Sequence, residues 1–337
     1  MNPGSNGAAS GLEQVAAEIR AADRFILCTH EHPDGDALGS LAAMQLGLTA
    51  MGKDAVSFMA AQELPLPREY RWLPLDRLIS EPPADLAERT VVFLDCGNID
   101  RNPADVLKRD EAHILNIDHH HDNTHFGTVD WVDPGSSSTA EMVWLLLGAL
   151  GVALDRRIAD ALYVGLVTDT GKFMYENTGP RAHRMAAELL ATGIDSQTIY
   201  RRLFEDLPQA KLELLARGLG NIERFEGGLV TLTRLSREDY EATGAEEAYS
   251  EGVVDHLRAM EGTAVAGLVR DVLTPGKEGK RKVSLRASDD RVDVSMIARA
   301  LGGGGHRRAA GFTTELEWQE IVELVREQVA AQLQLAA

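Results

Sequence analysis

The chain has 337 residues, 44% of them hydrophobic, and a formal net charge of -18. That is enough apolar material for two packed domains, and no apolar run approaches the roughly 20 residues that cross a bilayer. So acidic a chain excludes broad electrostatic binding of long duplex nucleic acid, but it still admits a small anion held by a few local positive groups. In chain order, residues 1–10, opening Met1-Asn2-Pro3-Gly4-Ser5-Asn6-Gly7, lack a basic stretch followed by an apolar core. They predict a disordered tail rather than a signal peptide. Strands are predicted over 24–29, 55–59, 90–95 and 113–118, and helices over 12–21, 38–51, 140–150 and 155–167. The alternation predicts an α/β fold, a doubly wound parallel sheet with helices on both faces, filling residues 11–195. From about Arg181 to Leu219 the pattern is helical with a break at Gly193, and the stretch 196–222 is predicted to be a helical connector. The remainder, 223–337, predicts a smaller α+β domain: strands at 228–235, 263–272 and 280–288, the last two joined by a hairpin turn at 274–279. A helix at 294–301, a glycine loop, a strand at 309–313 and an amphipathic helix at 317–333 complete it. The final helix predicts packing, with a homodimer contact as its other use. Only two cysteines, Cys28 and Cys96, are present. They exclude a disulfide framework and fit a reducing cytoplasm.

Four segments end on carboxylates or imidazoles. The predicted strand at Phe25-Ile26-Leu27-Cys28 runs into Thr29-His30-Glu31-His32-Pro33-Asp34-Gly35-Asp36, which places His30, Asp34 and Asp36 on one loop. The strand Val91-Val92-Phe93-Leu94 exits at Asp95, and Ile114-Leu115-Asn116-Ile117 exits at Asp118-His119-His120-His121. The apolar segment from Leu162 to Val167 ends at Asp169. Open parallel sheets bind ligands outside the C-terminal ends of their strands. Carboxylates and imidazoles gathered there repel or lose hydration unless cations join them. The mixture suits Mn²⁺, Fe²⁺, Co²⁺ or Zn²⁺ better than Ca²⁺. Six good ligands exceed the need of one ion that also keeps water, so a pair of divalent ions roughly 3.5–4 Å apart, Mn²⁺ foremost, is predicted. Neither cysteine is needed as a nucleophile.

These segments together resemble the DHH phosphoesterase superfamily, whose namesake motif stands here as Asp118-His119-His120. Its first motif is similar to His30-x-x-Pro33-Asp34-x-Asp36, its second to Asp95 and its fourth to Asp169. Near the C-terminus, Gly302-Gly303-Gly304-Gly305-His306-Arg307-Arg308-Ala309-Ala310-Gly311-Phe312 resembles the glycine–histidine motif of the DHH-associated substrate domain. The two-domain length and this ending are most similar to the nanoRNase/pAp phosphatase group of bifunctional oligoribonucleases. RecJ-type exonucleases and family II pyrophosphatases are more distant. The resemblance implies that His30 and Asp34 hold one metal and Asp36, His119 and Asp169 the other, with Asp95 bridging. It implies that His120 contacts the scissile phosphate or acts as general acid, with Asp118 orienting the imidazoles. Gly303, Gly304, Gly305 and His306 would bind the substrate's other phosphate or terminal nucleotide. Arg286, on a predicted strand, suits bidentate phosphate binding. With metals on one domain and a phosphate clamp on the other, the gap would measure substrate length.

The implied activity is metal-dependent hydrolysis of nanoRNA or linear dinucleotides to mononucleotides, and of 3′-phosphoadenosine 5′-phosphate to AMP, through a hydroxide held by two metals. The partners are short 5′-phosphorylated oligonucleotides or small phosphonucleotides, with no long duplex and no membrane. A cyclic-dinucleotide phosphodiesterase, a pyrophosphatase and a non-catalytic nucleotide-binding regulator stay open as alternatives. His32 and His121 are expected to lie outside the ligand set. Ser136-Ser137-Ser138-Thr139 with Glu141 reads as a loop and helix start or a substrate contact, and Trp131 and Phe173 as packing or base-stacking rings.

Overall fold

Phe25, Ile26, Leu27 and Cys28 are all fully buried, as a central strand of a parallel sheet requires. The computed structural model describes residues 5–334 and divides into two units, one ending at Asp206 and the other starting at Leu207. In the first unit, strands β1 (Arg24–Cys28), β2 (Asp54–Phe58), β3 (Leu78–Ile79), β4 (Thr90–Leu94), β5 (Ile114–Asp118) and β6 (Val129–Val132) form one sheet in the order β3-β2-β1-β4-β5-β6. Every pairing in it is parallel. The order reverses between β1 and β4, and the two strands lie side by side there, with Leu27 opposite Val92.

Side chains alternate between the two faces. Phe25, Leu27, Val92, Leu94, Leu115 and Ile117 join a core built with helices α1 (Ser5–Ala21), α2 (Gly35–Ala50), α3 (Thr139–Ala149), α4 (Arg156–Asp169), α5 (Pro180–Ala191) and α6 (Ser196–Phe204). Ile26, Cys28, Val91, Phe93 and Ile114 point the other way, against Leu86, Ala104 and Leu107 from connecting segments. The second face is therefore closed by loops and short 3₁₀ turns. The connections that cross it contain Pro82, Pro83 and Pro103, and proline interrupts a helix by removing a donor and clashing with the preceding turn.

Of the expected tail 1–10, residues 1–4 lie outside the described residues and Ser5–Ser10 open α1. The expected connector 196–222 is divided. Ile199 and Leu203 of α6 pack into the first core, whereas Leu214 of α7 (Gln209–Gly220) packs with Leu235 and Tyr240 in the second unit.

The second unit is the expected α+β arrangement. Strands β7 (Glu223–Phe225), β8 (Val230–Leu235), β9 (Val265–Asp271), β10 (Arg281–Ala287), β11 (Gly304–His306) and β12 (Ala309–Thr314) form a mixed sheet ordered β11-β12-β10-β9-β8-β7. Helices α8 (Arg237–Thr243), α9 (Val253–Arg258), α10 (Val294–Arg299) and α11 (Trp318–Leu333) pack on it. The predicted hairpin joins β9 to β10 in antiparallel register. Helix α11 buries Trp318, Ile321, Val322, Val325 and Val329 in the core of this unit, which is the packing use.

Candidate metal centre

The site grows from the sheet edge where β1 and β4 adjoin. After β1 the chain turns through His30, 6% exposed, into α2. Asp34 is the N-cap, its Oδ1 accepting from the N–H of Asp36 at 3.0 Å and of Ala37 at 3.1 Å. Such a cap satisfies donors that the first helical turn leaves without partners. Asp36, in the first turn, is therefore spared the capping role and turns inward, 1% exposed. The N–H of Thr139 donates to its Oδ2 at 2.6 Å and that of Ala140 to its Oδ1 at 2.8 Å.

At the exit of β4, Asp95 adopts a left-handed backbone, φ 57°, a conformation Asp tolerates better than most residues. It is 2% exposed. His30 Nε2 lies 3.4 Å from its Oδ2, and Thr139 Oγ1 donates to its Oδ1 at 3.1 Å. From the exit of β5, His119 Nε2 stands 3.9 Å from Asp36, 3.6 Å from Asp95 and 3.6 Å from Asp169. His120 Nδ1 contacts Asp118 Oδ1 at 2.7 Å and faces Asp95 at 3.6 Å, while Asn123 Nδ2 donates to Asp118 Oδ2 at 2.6 Å. Asp169 closes the cluster from the end of α4. Helices α2 and α4 approach closely because Gly165 lies at their crossing: a Cβ there would meet Asp36 Oδ1 at 2.8 Å and Ala140 Cβ at 2.6 Å.

Packing these acids together has an electrostatic cost. Burial first, then the charges of Asp95 and Asp169, pushes the Asp36 carboxyl well above its ordinary range. Burial, Asp95 and Asp34 do the same to Asp169. Burial alone would raise Asp95 too, but His30, His120 and His119 outweigh it and hold Asp95 well below the carboxylate range. Burial works against a charge on His30 and His120. Asp95 nonetheless raises His30, and Asp118 with Asp95 lifts His120 to about 10.

This donor set fits divalent ions. His30, Asp34 and Asp95 bring ligand atoms within 4.8 Å of one another, as do Asp36, His119 and Asp169, and Asp95, His119 and His120 make a third such group. The six expected ligands are thus gathered in one place, with Asp95 common to two of the groups, and His120 is as near as they are. Carboxylates that repel one another, faced by imidazoles, are the chemistry a cation relieves. His32 stays outside, exposed, its ring 3.5 Å from Glu63, and His121 is exposed. Cys28 and Cys96 are free and buried, and burial pushes the Cys96 thiol up to about 12. Trp131 is 2% exposed and packs in the core; Phe173 stacks on His183 with centroids 5.3 Å apart. The serine segment is not a surface loop: Ser136, Ser137, Ser138 and Thr139 are buried. Asn177, which donates to Asp169 Oδ2 at 3.3 Å, carried no sequence signal of its own.

In the second unit the expected glycine loop is a hairpin. Residues 304–306 form the edge strand β11, paired with β12 as Gly304↔Gly311, Gly305↔Ala310 and His306↔Ala309. Gly303 has no N–H left for an anion, because it donates to Ala298 O at 2.9 Å. A Cβ at Gly303 would meet Gly311 O at 2.2 Å, so this glycine is required for packing. The register places Arg286, Ala309 and His306 in one row and Ser284, Gly311 and Gly304 in the next, all on one face since cross-strand partners share a face. Ala310 and Phe312 point to the core. The motif's small residues therefore form a shallow floor flanked by a guanidinium and an imidazole.

Residues 24–166 match the DHH family, N-terminal domain, and residues 238–331 the DHHA1 domain. A Thermus thermophilus protein named bifunctional oligoribonuclease and PAP phosphatase NrnA is 35% identical over 325 residues, 94% of each chain. An exopolyphosphatase-related protein from Bacteroides fragilis has the same fold, with a TM-score of 0.86 at 22% identity over 96% of each chain. RecJ from Thermus thermophilus in complex with Mn²⁺ shares the fold at a TM-score of 0.59 and 16% identity, covering 97% of this chain and 55% of RecJ. On these matches, which span both units and their order, the chain belongs to the DHH family and carries a DHHA1 domain.

Proposed function

We propose that this chain is a metal-dependent phosphoesterase that hydrolyses very short oligonucleotides to mononucleotides and 3′-phosphoadenosine 5′-phosphate to AMP. The observation that carries the reading is the cluster of His30, Asp34, Asp36, Asp95, His119 and Asp169 at the reversal point of the parallel sheet, in which His30, Asp36 and Asp95 are buried and Asp34 is exposed. The full-length similarity to the Thermus thermophilus oligoribonuclease and PAP phosphatase supports the substrate class.

His30 and Asp34 would hold one ion, Asp36, His119 and Asp169 the other, and Asp95 both. Two divalent ions, Mn²⁺ by preference, would supply charge neutralisation at the phosphate and lower the pKa of water so that it attacks near neutral pH. His120 gives its Nδ1 to Asp118, which orients the ring; Nε2 is the nitrogen that would donate to the leaving oxygen as the P–O bond breaks. In the metal-free protein Asp118 and Asp95 raise the pKa of His120 to about 10, which favours the protonated ring that such a donor requires. Arg286 and His306 would bind another phosphate of the nucleotide through charge-assisted hydrogen bonds, above the floor made by Gly304 and Gly311. The free, buried cysteines support a reducing cytoplasmic setting. No described helix is long and apolar enough to cross a membrane.

The test is hydrolysis, with Mn²⁺ and with chelator, of 5′-phosphorylated RNA from dimer to decamer, 3′-phosphoadenosine 5′-phosphate, a cyclic dinucleotide and pyrophosphate. Metal-dependent turnover of dimers and trimers that declines with length is expected. Preference for pyrophosphate, the cyclic ligand or the decamer would reassign the substrate, and no turnover of any compound would favour a nucleotide-binding regulator.

A further inference from the structure

We propose that Thr139 and Asn177 are positioning residues, and that the buried turn 136–139 is the template that sets the spacing of Asp36, Asp95 and Asp169. The proposal rests on the metal reading of that cluster. The three acids stand on separate elements, in α2, after β4 and at the end of α4, and their charges push them apart. One residue reaches two of them: Thr139 gives its N–H to Asp36 at 2.6 Å and its hydroxyl to Asp95 at 3.1 Å. Asn177 ties in the third, its Nδ2 donating to Asp169 Oδ2 at 3.3 Å, Asp169 O at 3.1 Å and Ser137 O at 2.8 Å.

The turn is itself locked. Ser138 Oγ caps α3 by accepting from the Glu141 N–H at 3.1 Å. Ser137 donates to the Glu141 carboxylate through its N–H at 3.3 Å and through its hydroxyl. Arg181 of α5 pairs with Glu141 and donates to Asp133 at 3.2 Å and Ser136 Oγ at 2.8 Å. Ser136, Ser137, Ser138 and Thr139 are 2% exposed or less, so the turn is closed to substrate. Starting α3 requires one capping hydroxyl, which Ser138 supplies. The additional bonds lead to the acids, and buried polar bonds that join several elements restrict the geometry those elements can take. A centre that must present like charges at a fixed spacing before an ion arrives needs such a frame, because groups that orient ligands govern metal affinity.

The experiment is Mn²⁺ titration calorimetry on the chelator-treated full chain, comparing wild type with Thr139→Val, Thr139→Ser and Asn177→Leu. Thr139→Val keeps the shape and the N–H but removes the hydroxyl. It and Asn177→Leu are each expected to weaken Mn²⁺ binding by about 10- to 100-fold, while Thr139→Ser stays within about threefold of wild type. If Thr139→Val does not fold, Asn177→Leu, changed at a half-buried loop, carries the test. Wild-type affinity in a folded Thr139→Val or Asn177→Leu, or a Thr139→Ser as weak as Thr139→Val, would overturn the proposal. Absence of Mn²⁺ binding by the wild type would instead overturn the metal reading beneath it.

Discussion

In the first unit the chemistry is buried: His30, Asp36, Asp95 and Asp118 are 6% exposed or less, each held by partners from other elements. In the second unit Arg286 keeps 30% of its side chain exposed, and the other members of its row, Ala309 and His306, are likewise only partly buried. Both sites combine acids, bases and small residues, but they distribute the cost differently. Buried ligands need neighbours that fix their geometry before any ion arrives, so each is tied to several elements at once. Residues on an exposed sheet face are set mainly by strand register, to which Arg286 adds an ion pair with Asp255 at 3.8 Å, and removing one leaves the strands in place. The contrast predicts that substitutions in the first site abolish chemistry, whereas those in the second change substrate binding.

Asp95→Ala is the strongest test of that contrast. It removes the carboxylate shared by two donor groups, the charge that most raises His30, and part of what raises His120 beside Asp118. A loss of about 10⁴-fold or more in kcat/KM is expected, the scale seen when a member of a cooperating catalytic set is deleted. Dinucleotide hydrolysis at saturating Mn²⁺ measures it, and turnover within tenfold of wild type would break the shared-ligand assignment. Arg286→Ala should act on the other limb. Losing a charged hydrogen bond to phosphate costs about 1.5–3 kcal/mol, or about 10- to 150-fold in KM for a dinucleotide. Mn²⁺ affinity should not change. A parallel fall in Mn²⁺ affinity would show that the two sites are not separable as drawn.

The same contrast explains what was legible in the chain. Ligands that leave a strand are written contiguously, as in Asp118-His119-His120 after an apolar run, and all six expected ligands converge. The parallel sheet was equally legible, apart from the short edge strands β3 and β6, whose two and four residues carry little pattern. Support for the ligands was harder to see. Thr139 and Asn177 act through contacts 44 and 8 residues away in sequence, and a buried serine turn has the composition of a surface loop. The glycine motif misled for a related reason. Its meaning lies in the pairing of Gly304 with Gly311 across a hairpin, whereas consecutive glycines read as a loop. Helix α8 did carry a signal, the capping box of Ser236 and Asp239, within a segment too short to show periodicity.

The smallest expected effect concerns protons in the metal-free protein. Asp36 and Asp169 have carboxyls raised above the ordinary value of about 4, and His120 is raised from about 6.5 to about 10. In each case the folded chain keeps a proton that the unfolded chain has already lost, so stability falls as pH rises. For the two acids the fall starts at the ordinary carboxylate value. For His120 its contribution is complete below about 6.5 and gone above about 10. The ion pairs of Arg89 with Asp54 and Asp85 act in another window, because those carboxyls are lowered and their contribution fades only as pH drops below about 4. Between pH 5 and 8 these Arg89 pairs are thus constant while the metal-ligand cluster changes. The chelator-treated protein should lose Tm across that range, and the Tm gained on adding Mn²⁺ should widen, because the ion replaces protons held less firmly at each step. Asp169→Asn, which removes one raised carboxyl, should flatten the slope of the metal-free protein. A Mn²⁺-induced gain that stays constant with pH would mean that ions and protons do not compete for these carboxylates, and the buried centre would then differ from the exposed face in position but not in chemistry.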